Sequence, residues 1–427
     1  MVHLIVLRMV QIKTLQTVHL LRYRHFLLVN FKNKWYNCKS GGFEIAFCNK
    51  VIIMHKIISF VCLFTLLACS SQEKGSESIV FEKRDDVKMS ELITDYSLVK
   101  LETTEDNLIV DINQVECWKD RIYILDSYSP TKGIYVFEKD GRYVGRIGRV
   151  GQGPGEYILP SDMVIDENDD KLVVKDLARN ILMVYNLDSQ EFEGEYEIPF
   201  YADCMEYLAP ERLIWYVGTG LTNRGDYCQH IQVTDMSGNS ITSCMDREEL
   251  PTRGFYNIRT LFHTDEKQQV YFHHPFVPDI YRYDVQKNSA EYAYTLSWEG
   301  LKSPTQEYVM THREQIVQVL KAEKYIMYHT LMENSEKILC YFGTDDTRYI
   351  GVYDKATHKG YYTPITSIID DMGVLGFYYP KSVYNDKFVG VIYMENLDGI
   401  DENSILYPYS DGGKTDDAGN PVIVLFR

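Results

Sequence analysis

From residue 112 onward the chain is written in short apolar runs separated by clusters of Asp, Gly and Asn. The clearest runs open on a polar residue and stay largely apolar, as in Arg121-Ile-Tyr-Ile-Leu-Asp126 and Lys171-Leu-Val-Val-Lys-Asp176. Four more fall at 212–216, 269–273, 337–341 and 387–391. Short runs rich in Val, Ile and Tyr, bounded by turn residues, predict strands. A second run follows each, at 133–137, 181–185, 230–233, 279–283, 349–353 and 421–426, and a third follows most, at 143–147, 193–198, 290–298 and 359–364. Units of about 40–50 residues with four strands apiece are the pattern of a β-propeller. Six units therefore predict an all-β chain folded as a six-bladed β-propeller of four-stranded blades over 96–427.

Turns and ends agree with that count. Asp140-Gly141 is the dipeptide of a tight hairpin, and Ser237-Gly238-Asn239 serves a similar turn. The last unit lacks an outer strand, and 96–102 is a strand without a unit. Giving that N-terminal strand to the last blade closes the ring and covers an edge. One helix is predicted near 303–322, where Ser303 is an N-cap, Pro304 occupies N1 and Gln306 completes a capping box. Tyr308, His312, Ile316, Val319 and Leu320 then share a face, which predicts an insertion packed on a blade edge.

The N-terminus reads as an address. Met54, His55 and Lys56 precede the apolar run 57–68, which ends Leu66-Leu67-Ala68-Cys69-Ser70-Ser71. A short basic start, an apolar stretch of this length and small residues at its end form a secretory signal, too short for a membrane-spanning helix. Leu-Leu-Ala-Cys resembles a bacterial lipobox, which implies acylation at Cys69 and a membrane anchor without a spanning helix. Residues 54–68 are thus read as the signal peptide and 69–95 as the lipidated cysteine and its tether. Residues 1–53 read as an upstream extension outside the mature protein.

Composition sharpens this division. The chain of 427 residues has a net charge of −17 and 45% apolar residues, with 34 Tyr that favour strands. Residues 1–68 hold nine of the 44 basic side chains and one of the 61 acids, leaving 35 basic and 60 acidic side chains in 69–427. So acidic a body excludes nucleic acid, whose phosphates require clustered Lys and Arg. Beyond Cys69 five cysteines remain, Cys117, Cys204, Cys228, Cys244 and Cys340, with no zinc-binding spacing; whether any pair is open at this stage.

The block Gly148-Arg149-Val150-Gly151-Gln152-Gly153-Pro154-Gly155-Glu156-Tyr157, followed by Pro160, Val164-Ile165-Asp166, Val173-Val174-Lys175-Asp176, Asn180 and Val184-Tyr185, resembles an NHL-type repeat. With the lipobox and Asn420-Pro421-Val422-Ile423-Val424-Leu425-Phe426, the chain resembles the six-bladed β-propeller lipoproteins of Gram-negative bacteria. The resemblance implies an envelope location, and Ser70 after Cys69 implies the outer membrane.

Candidate chemistry is sparse. The glycines at 148–155 lead to Pro160 and a strand, not to a helix N-terminus, so they read as an interblade turn and not as a phosphate cradle. Asp166-Glu167-Asn168-Asp169-Asp170 begins like a calcium loop, but Lys171 and Leu177 stand where Gly and Glu are needed. His273 and His274 are the weak alternative for a metal, zinc or calcium, although adjacent strand residues face opposite ways. No catalytic motif occurs and no cofactor is expected.

What remains is the rim that carries the long loops, where functional residues concentrate. It holds Tyr128, Arg149, Glu156, Tyr157, Arg179, Arg224, Arg253, Tyr256, Phe276 and Arg348. Its five arginines would orient an anionic ligand, unless they pair with neighbouring acids. The sequence thus predicts a non-catalytic binding scaffold for a protein, peptide or glycan, anchored through Cys69. The alternative is a metal-dependent lyase or lactone hydrolase centred on the channel.

Overall fold

The computed structural model describes residues 77–218, 220–246, 261–374, 376–377, 379–397, 400–410 and 419–427. The proposed extension, signal peptide and Cys69 lie outside the described residues. The strands form six antiparallel four-stranded blades. Blade 1, innermost strand first, is Gln114–Trp118, Arg121–Asp126, Gly133–Glu138 and Tyr143–Ile147, and blade 2 is Pro160–Asp166, Lys171–Asp176, Ile181–Asn186 and Phe192–Glu197. Blade 3 is Cys204–Leu208, Arg212–Tyr216, Ile231–Asp235 and Ser240–Cys244. Blade 4 is Phe262–Thr264, Val270–His273, Asp279–Asp284 and Ser289–Trp298, and blade 5 is Tyr328–Glu333, Lys337–Gly343, Arg348–Asp354 and Lys359–Pro364. Blade 6 is Ser382–Tyr384, Lys387–Ile392, Val422–Phe426 and the N-terminal Ser97–Lys100, so the ring closes by the expected strand.

The apolar runs that mark the sequence are the second strands, buried on both faces. Ile122 and Ile124 pack toward blade 6 while Tyr123 and Leu125 pack toward blade 2. Leu172 and Val174 face blade 1, and Val173 faces blade 3. A strand without a solvent face has no reason to alternate. Six apolar clusters result, one at each junction between neighbouring blades. The outer strand Phe192–Glu197 instead carries exposed charge, which protects a free edge.

The N-terminal segment departs from the tether expected over 69–95. Ser78–Lys83 is a strand wedged between blades 4 and 5, parallel to the outer strands of both, which joins them into one nine-stranded sheet. Phe81 lies fully buried there, stacked on Trp298 with centroids 6.0 Å apart. Gly360 permits this approach, since a Cβ would stand 2.5 Å from the Val80 carbonyl. Val87, Met89, Leu92 and Ile93 then fill the junction of blades 5 and 6. The buried side chains of Ile79, Phe81, Val87, Met89, Leu92 and Ile93 drive this docking, which a purely polar linker lacks.

The helical insertion also differs from expectation. It comprises two short helices, Gln306–Thr311 and Ile316–Ala322, interrupted at 312–315. Thr305, not Ser303, is the N-cap, accepting from the Tyr308 N–H at 3.1 Å. Val309, Ile316 and Leu320 pack on Phe276 and Val277, so the insertion sits on the long-loop rim and not on a blade edge.

Candidate functional site

The first strand of each blade runs from the long-loop rim toward the rim of tight turns, and the six together surround a cavity of about 1710 Å³. Its lining includes loop residues Tyr128, Phe276 and Asp345 and the strand-opening Arg348, and none from the tight turns at 119–120, 167–170, 209–211, 265–268 or 334–336. The cavity therefore opens on the long-loop rim.

Two aspartates at the ends of second strands set this rim. Asp126 accepts from the N–H of Val110, Asp111 and Ser129, tying the entry into blade 1 to its own next loop. Asp176 repeats the arrangement in blade 2 with the N–H of Ile158, Leu159 and Ala178. Side chains of the first strands then stitch neighbouring blades. The Gln114 amide donates to the Met163 carbonyl at 2.6 Å and accepts from its N–H at 3.0 Å. Asp162 accepts from the Met205 N–H at 2.8 Å in blade 3.

Below the mouth the lining is acidic. Glu116, Asp162 and Glu206 come from blades 1, 2 and 3, and Glu333 lies at the far end of the first strand of blade 5. Glu116 and Glu206 keep a partly accessible surface because they face the cavity, yet both lie deep in the protein. Desolvation, with the repulsion of Glu206 and Asp162, pushes the Glu116 carboxyl up to about 8, although the Gln114 amide donates to it at 2.9 Å. Burial raises Glu206 to about 7 against a 2.9 Å hydrogen bond from the Tyr207 N–H. Glu333 is raised to about 7 by burial despite Lys355 at 3.4 Å.

His263 and His329 complete this wall. Burial holds His263 down near 3 and His329 well below the usual imidazole range, so both are neutral. His329 is 1% exposed, and neither of its ring nitrogens has a hydrogen-bond partner.

The rim residues expected from sequence divide sharply. Tyr128, 51% exposed, and Arg348, also exposed, reach the cavity mouth. Phe276 lines it too, but is buried under the helical insertion. Tyr157 is a core residue: its fully buried hydroxyl donates to the Ile147 carbonyl at 3.1 Å and accepts from the Ile134 N–H at 3.2 Å. Gly148, at φ 62°, makes room for that ring, since a Cβ would lie 2.7 Å from it. Arg149 pairs with Glu156 at 2.5 Å. Arg179 pairs with Asp176 at 2.9 Å and Glu195 at 3.2 Å. Arg224 is exposed away from the cavity, and Arg253 and Tyr256 lie outside the described residues. The anion-binding rim is thus corrected: two of its arginines are committed to acids, and the lining carries Arg348 and Lys381 against many more carboxylates.

His273 and His274 are buried and do not line the cavity. The His273 ring packs on His329 at 4.1 Å, whereas His274 contacts Tyr216 and Phe272 on the opposite face. Among the described residues no three His, Cys, Asp or Glu side chains converge to hold a metal. Asp166–Asp170 forms a hairpin turn, with the Asn168 N–H on Asp166 at 3.1 Å. The five cysteines beyond Cys69 are free thiols.

The channel acids are hard to see in the sequence because the first strands blend into the loops before each apolar run. The available signal was a polar side chain beside a core residue, as in Gln114-Val115-Glu116 and Met205-Glu206-Tyr207.

A model of the DUF5128 family, described as a 6-bladed beta-propeller, matches residues 68–391. No curated protein matches the chain. Among solved structures, a candidate exported protein of Bacteroides fragilis NCTC 9343 is 24% identical, covering 82% of this chain and 99% of that one, with a TM-score of 0.71. A duf4221 member from Bacteroides vulgatus is 11% identical over 78% of this chain and 97% of its own, with a TM-score of 0.48. A virginiamycin B lyase from Staphylococcus aureus is 12% identical over 63% and 73%, with a TM-score of 0.35. At 24% identity the likeness to the Bacteroides fragilis protein shows fold alone.

Proposed function

The chain belongs to the DUF5128 family of six-bladed β-propellers, and on that premise we propose that it is a lipid-anchored envelope protein whose propeller is a non-catalytic binding scaffold. The partner, a protein, peptide or glycan, engages the mouth of the central channel. The observation that carries this reading is the cavity of about 1710 Å³, which opens on the long-loop rim beside Tyr128 and Arg348. A rigid closed ring around a large cavity of mixed polar and apolar lining is pre-formed for recognition. The anchor rests on Leu66-Leu67-Ala68-Cys69, and the exported status of the Bacteroides fragilis neighbour fits it. The 148–185 block is read as an NHL-type repeat.

The lyase or lactone hydrolase reading gains no support from the channel, where no metal-holding group converges among the described residues. A photo-crosslinking residue at position 128 in living cells tests the scaffold. It should give a discrete adduct that the same probe at Tyr196, on the outer strand of blade 2, does not. Equal labelling at both positions, or none at 128, rejects the channel mouth as the contact. Labelled palmitate should enter the protein and be lost in Cys69→Ala; retained label removes the anchor.

A further inference from the structure

We infer that the junction of blades 4 and 5 is an acid-opened latch. Protons on the buried pair His273 and His329 loosen it and free the N-terminal strand Ser78–Lys83 from its slot, while the rest of the ring stays closed. The device does not depend on what the channel binds.

All five histidines that are buried among the described residues stand in or beside strands of blades 3 to 5. His230 and His274 lie toward blade 3, around Tyr216. His263, His273 and His329 gather between blades 4 and 5. The His273 ring, from the second strand of blade 4, packs on His329, from the first strand of blade 5, at 4.1 Å. His329 is 1% exposed, and neither of its ring nitrogens has a hydrogen-bond partner. A proton placed there meets no acceptor, and a second charge on the stacked ring would add repulsion.

The titratable groups packed around His329 supply no counter-charge. From blade 4, His263 stacks on Tyr271 with centroids 5.2 Å apart and meets the Tyr294 hydroxyl at 3.5 Å. From blade 5, Glu333 is paired with Lys355 at 3.4 Å, and Cys340 is a buried free thiol. The N-terminal strand leaves its own charges, Glu82 and Lys83, exposed. Burial, with His273 and His263 beside it, holds the His329 imidazole well below its usual range. Burial, with His273 and Lys355, holds His263 near 3.

One side chain connects the pair to the strand. Trp298 packs on His329 with centroids 6.1 Å apart and on Phe81 at 6.0 Å. The strand is held by backbone pairing and by the buried Ile79 and Phe81, while Lys83 and Arg84 pair with Asp85, Asp86 and Glu91 of the same segment. Its apolar footing is thus the junction that the histidines share, which makes it the first element to leave. In the open state these rings reach water and titrate at the ordinary imidazole value, so the closed state binds fewer protons. The latch is fully stable above about pH 6.5 and weakens below it. Each freed ring shifts the opening equilibrium by up to about fiftyfold between pH 6.5 and 4.8.

Hydrogen exchange of the intact protein at pH 7.5 and 4.8, corrected for intrinsic rates, tests the latch. Protection of Ser78–Lys83 and of its partners at 295–298 and 360–362 should fall about hundredfold or more, and that of Ser97–Lys100 and Val422–Phe426 less than about tenfold. His329→Leu removes one titrating ring and keeps an apolar side chain. Its strand should be as protected at pH 7.5 and lose about tenfold less, or better, at pH 4.8. His358→Gln, at an exposed histidine, should match the parent. Equal loss around the ring, no loss at the strand, or an unchanged loss in His329→Leu overturns the latch. So does a loss that disappears in Glu333→Gln, which would assign it to the pair with Lys355. Should His329→Leu not fold, imidazole NMR of the parent protein decides. A His329 ring still neutral at pH 5 supports the latch, and one that titrates at the ordinary value overturns it.

Discussion

The side-chain amide of Gln114 holds both backbone groups of Met163, donating to its carbonyl at 2.6 Å and accepting from its N–H at 3.0 Å. A glutamine on the first strand of blade 1 thus acts as a single rung of sheet toward blade 2. The same amide donates to Glu116 at 2.9 Å. Inner strands have no neighbour on their channel edge, so a side chain supplies the pairing that another strand would give.

Replacing Gln114 by Leu removes the rung and takes the amide donor from the Met163 carbonyl in a poorly solvated place, while the Met163 N–H keeps only the Asp162 carboxylate at 3.0 Å. A loss of about 1–3 kcal/mol is expected in urea unfolding. The variant should also raise the Glu116 carboxyl further, because the donor that favoured its charged form is gone. Carboxyl-carbon NMR titration reads this shift, and an unchanged or lower value would contradict the assigned hydrogen bond.

The sequence disclosed the parts of the propeller that have a two-sided environment. Second strands such as Arg121–Asp126 and Lys171–Asp176 read as unbroken apolar runs because both faces touch neighbouring blades. Val422–Phe426 and the strand at Ser97–Lys100 were legible as a closure for a similar reason. First strands were obscure, since Glu116 and Glu206 sit in positions that resemble solvent-facing strand residues. Arg149 and Arg179 looked alike in sequence, and only the fold shows one exposed and the other locked against Asp176. Nothing in Gly148–Tyr157 distinguishes a rim tyrosine from Tyr157, which turns inward to cap Ile147.

The channel acids give stability an unusual slope with pH. Burial raises Glu116 to about 8 and Glu206 to about 7, above their unfolded values, so the native state binds more protons than the unfolded chain in that range. Stability from these groups is complete below their ordinary value and is lost as pH rises through 7 and 8. His263 and His329, held low, act oppositely but are exhausted above about pH 6.5. Unfolding free energy should therefore fall between pH 6.5 and 8, and the Glu116→Gln, Glu206→Gln protein should show a flatter curve. Parallel curves for the two proteins would exclude these acids as its cause.

Two arginines separate structural from superficial ion pairs. Arg179 reaches Asp176, whose side chain is fully buried, and donates to the Glu156 carbonyl at 2.7 Å. Arg149 is 81% exposed although it meets Glu156 at 2.5 Å. Arg179→Ala should cost about 2–4 kcal/mol by leaving a buried carboxylate short of its partner, whereas Arg149→Ala should change stability by less than about 1 kcal/mol. Burial alone would push Asp176 up, but the N–H groups of Ile158 and Leu159, with Arg179, hold it below the usual range. Its contribution is present above the ordinary aspartate value and is lost as pH falls through the lowered one. Acid unfolding should hence begin from a lower plateau in Arg179→Ala and show a smaller loss.

Closure of the ring depends on one buried amide. Asn420 is fully buried and donates to the carbonyls of Glu102 and Asn107 at 2.8 and 3.0 Å, while its side-chain oxygen accepts from the Ile109 N–H at 2.8 Å. It therefore ties the C-terminal strand of blade 6 to the segment that leads from Ser97–Lys100 into blade 1. Asn420→Ala removes all of these bonds at once and leaves the Ile109 N–H and the Asn107 carbonyl without this amide, while the Glu102 carbonyl keeps only the Asn107 amide at 2.9 Å, an expected loss of about 2–4 kcal/mol. Because the change falls at the seam, hydrogen exchange should accelerate first in Ser97–Lys100 and Val422–Phe426, ahead of blades 2 and 3. Uniform acceleration around the ring, or none at the seam, would show that these strands are held by their apolar pairing alone.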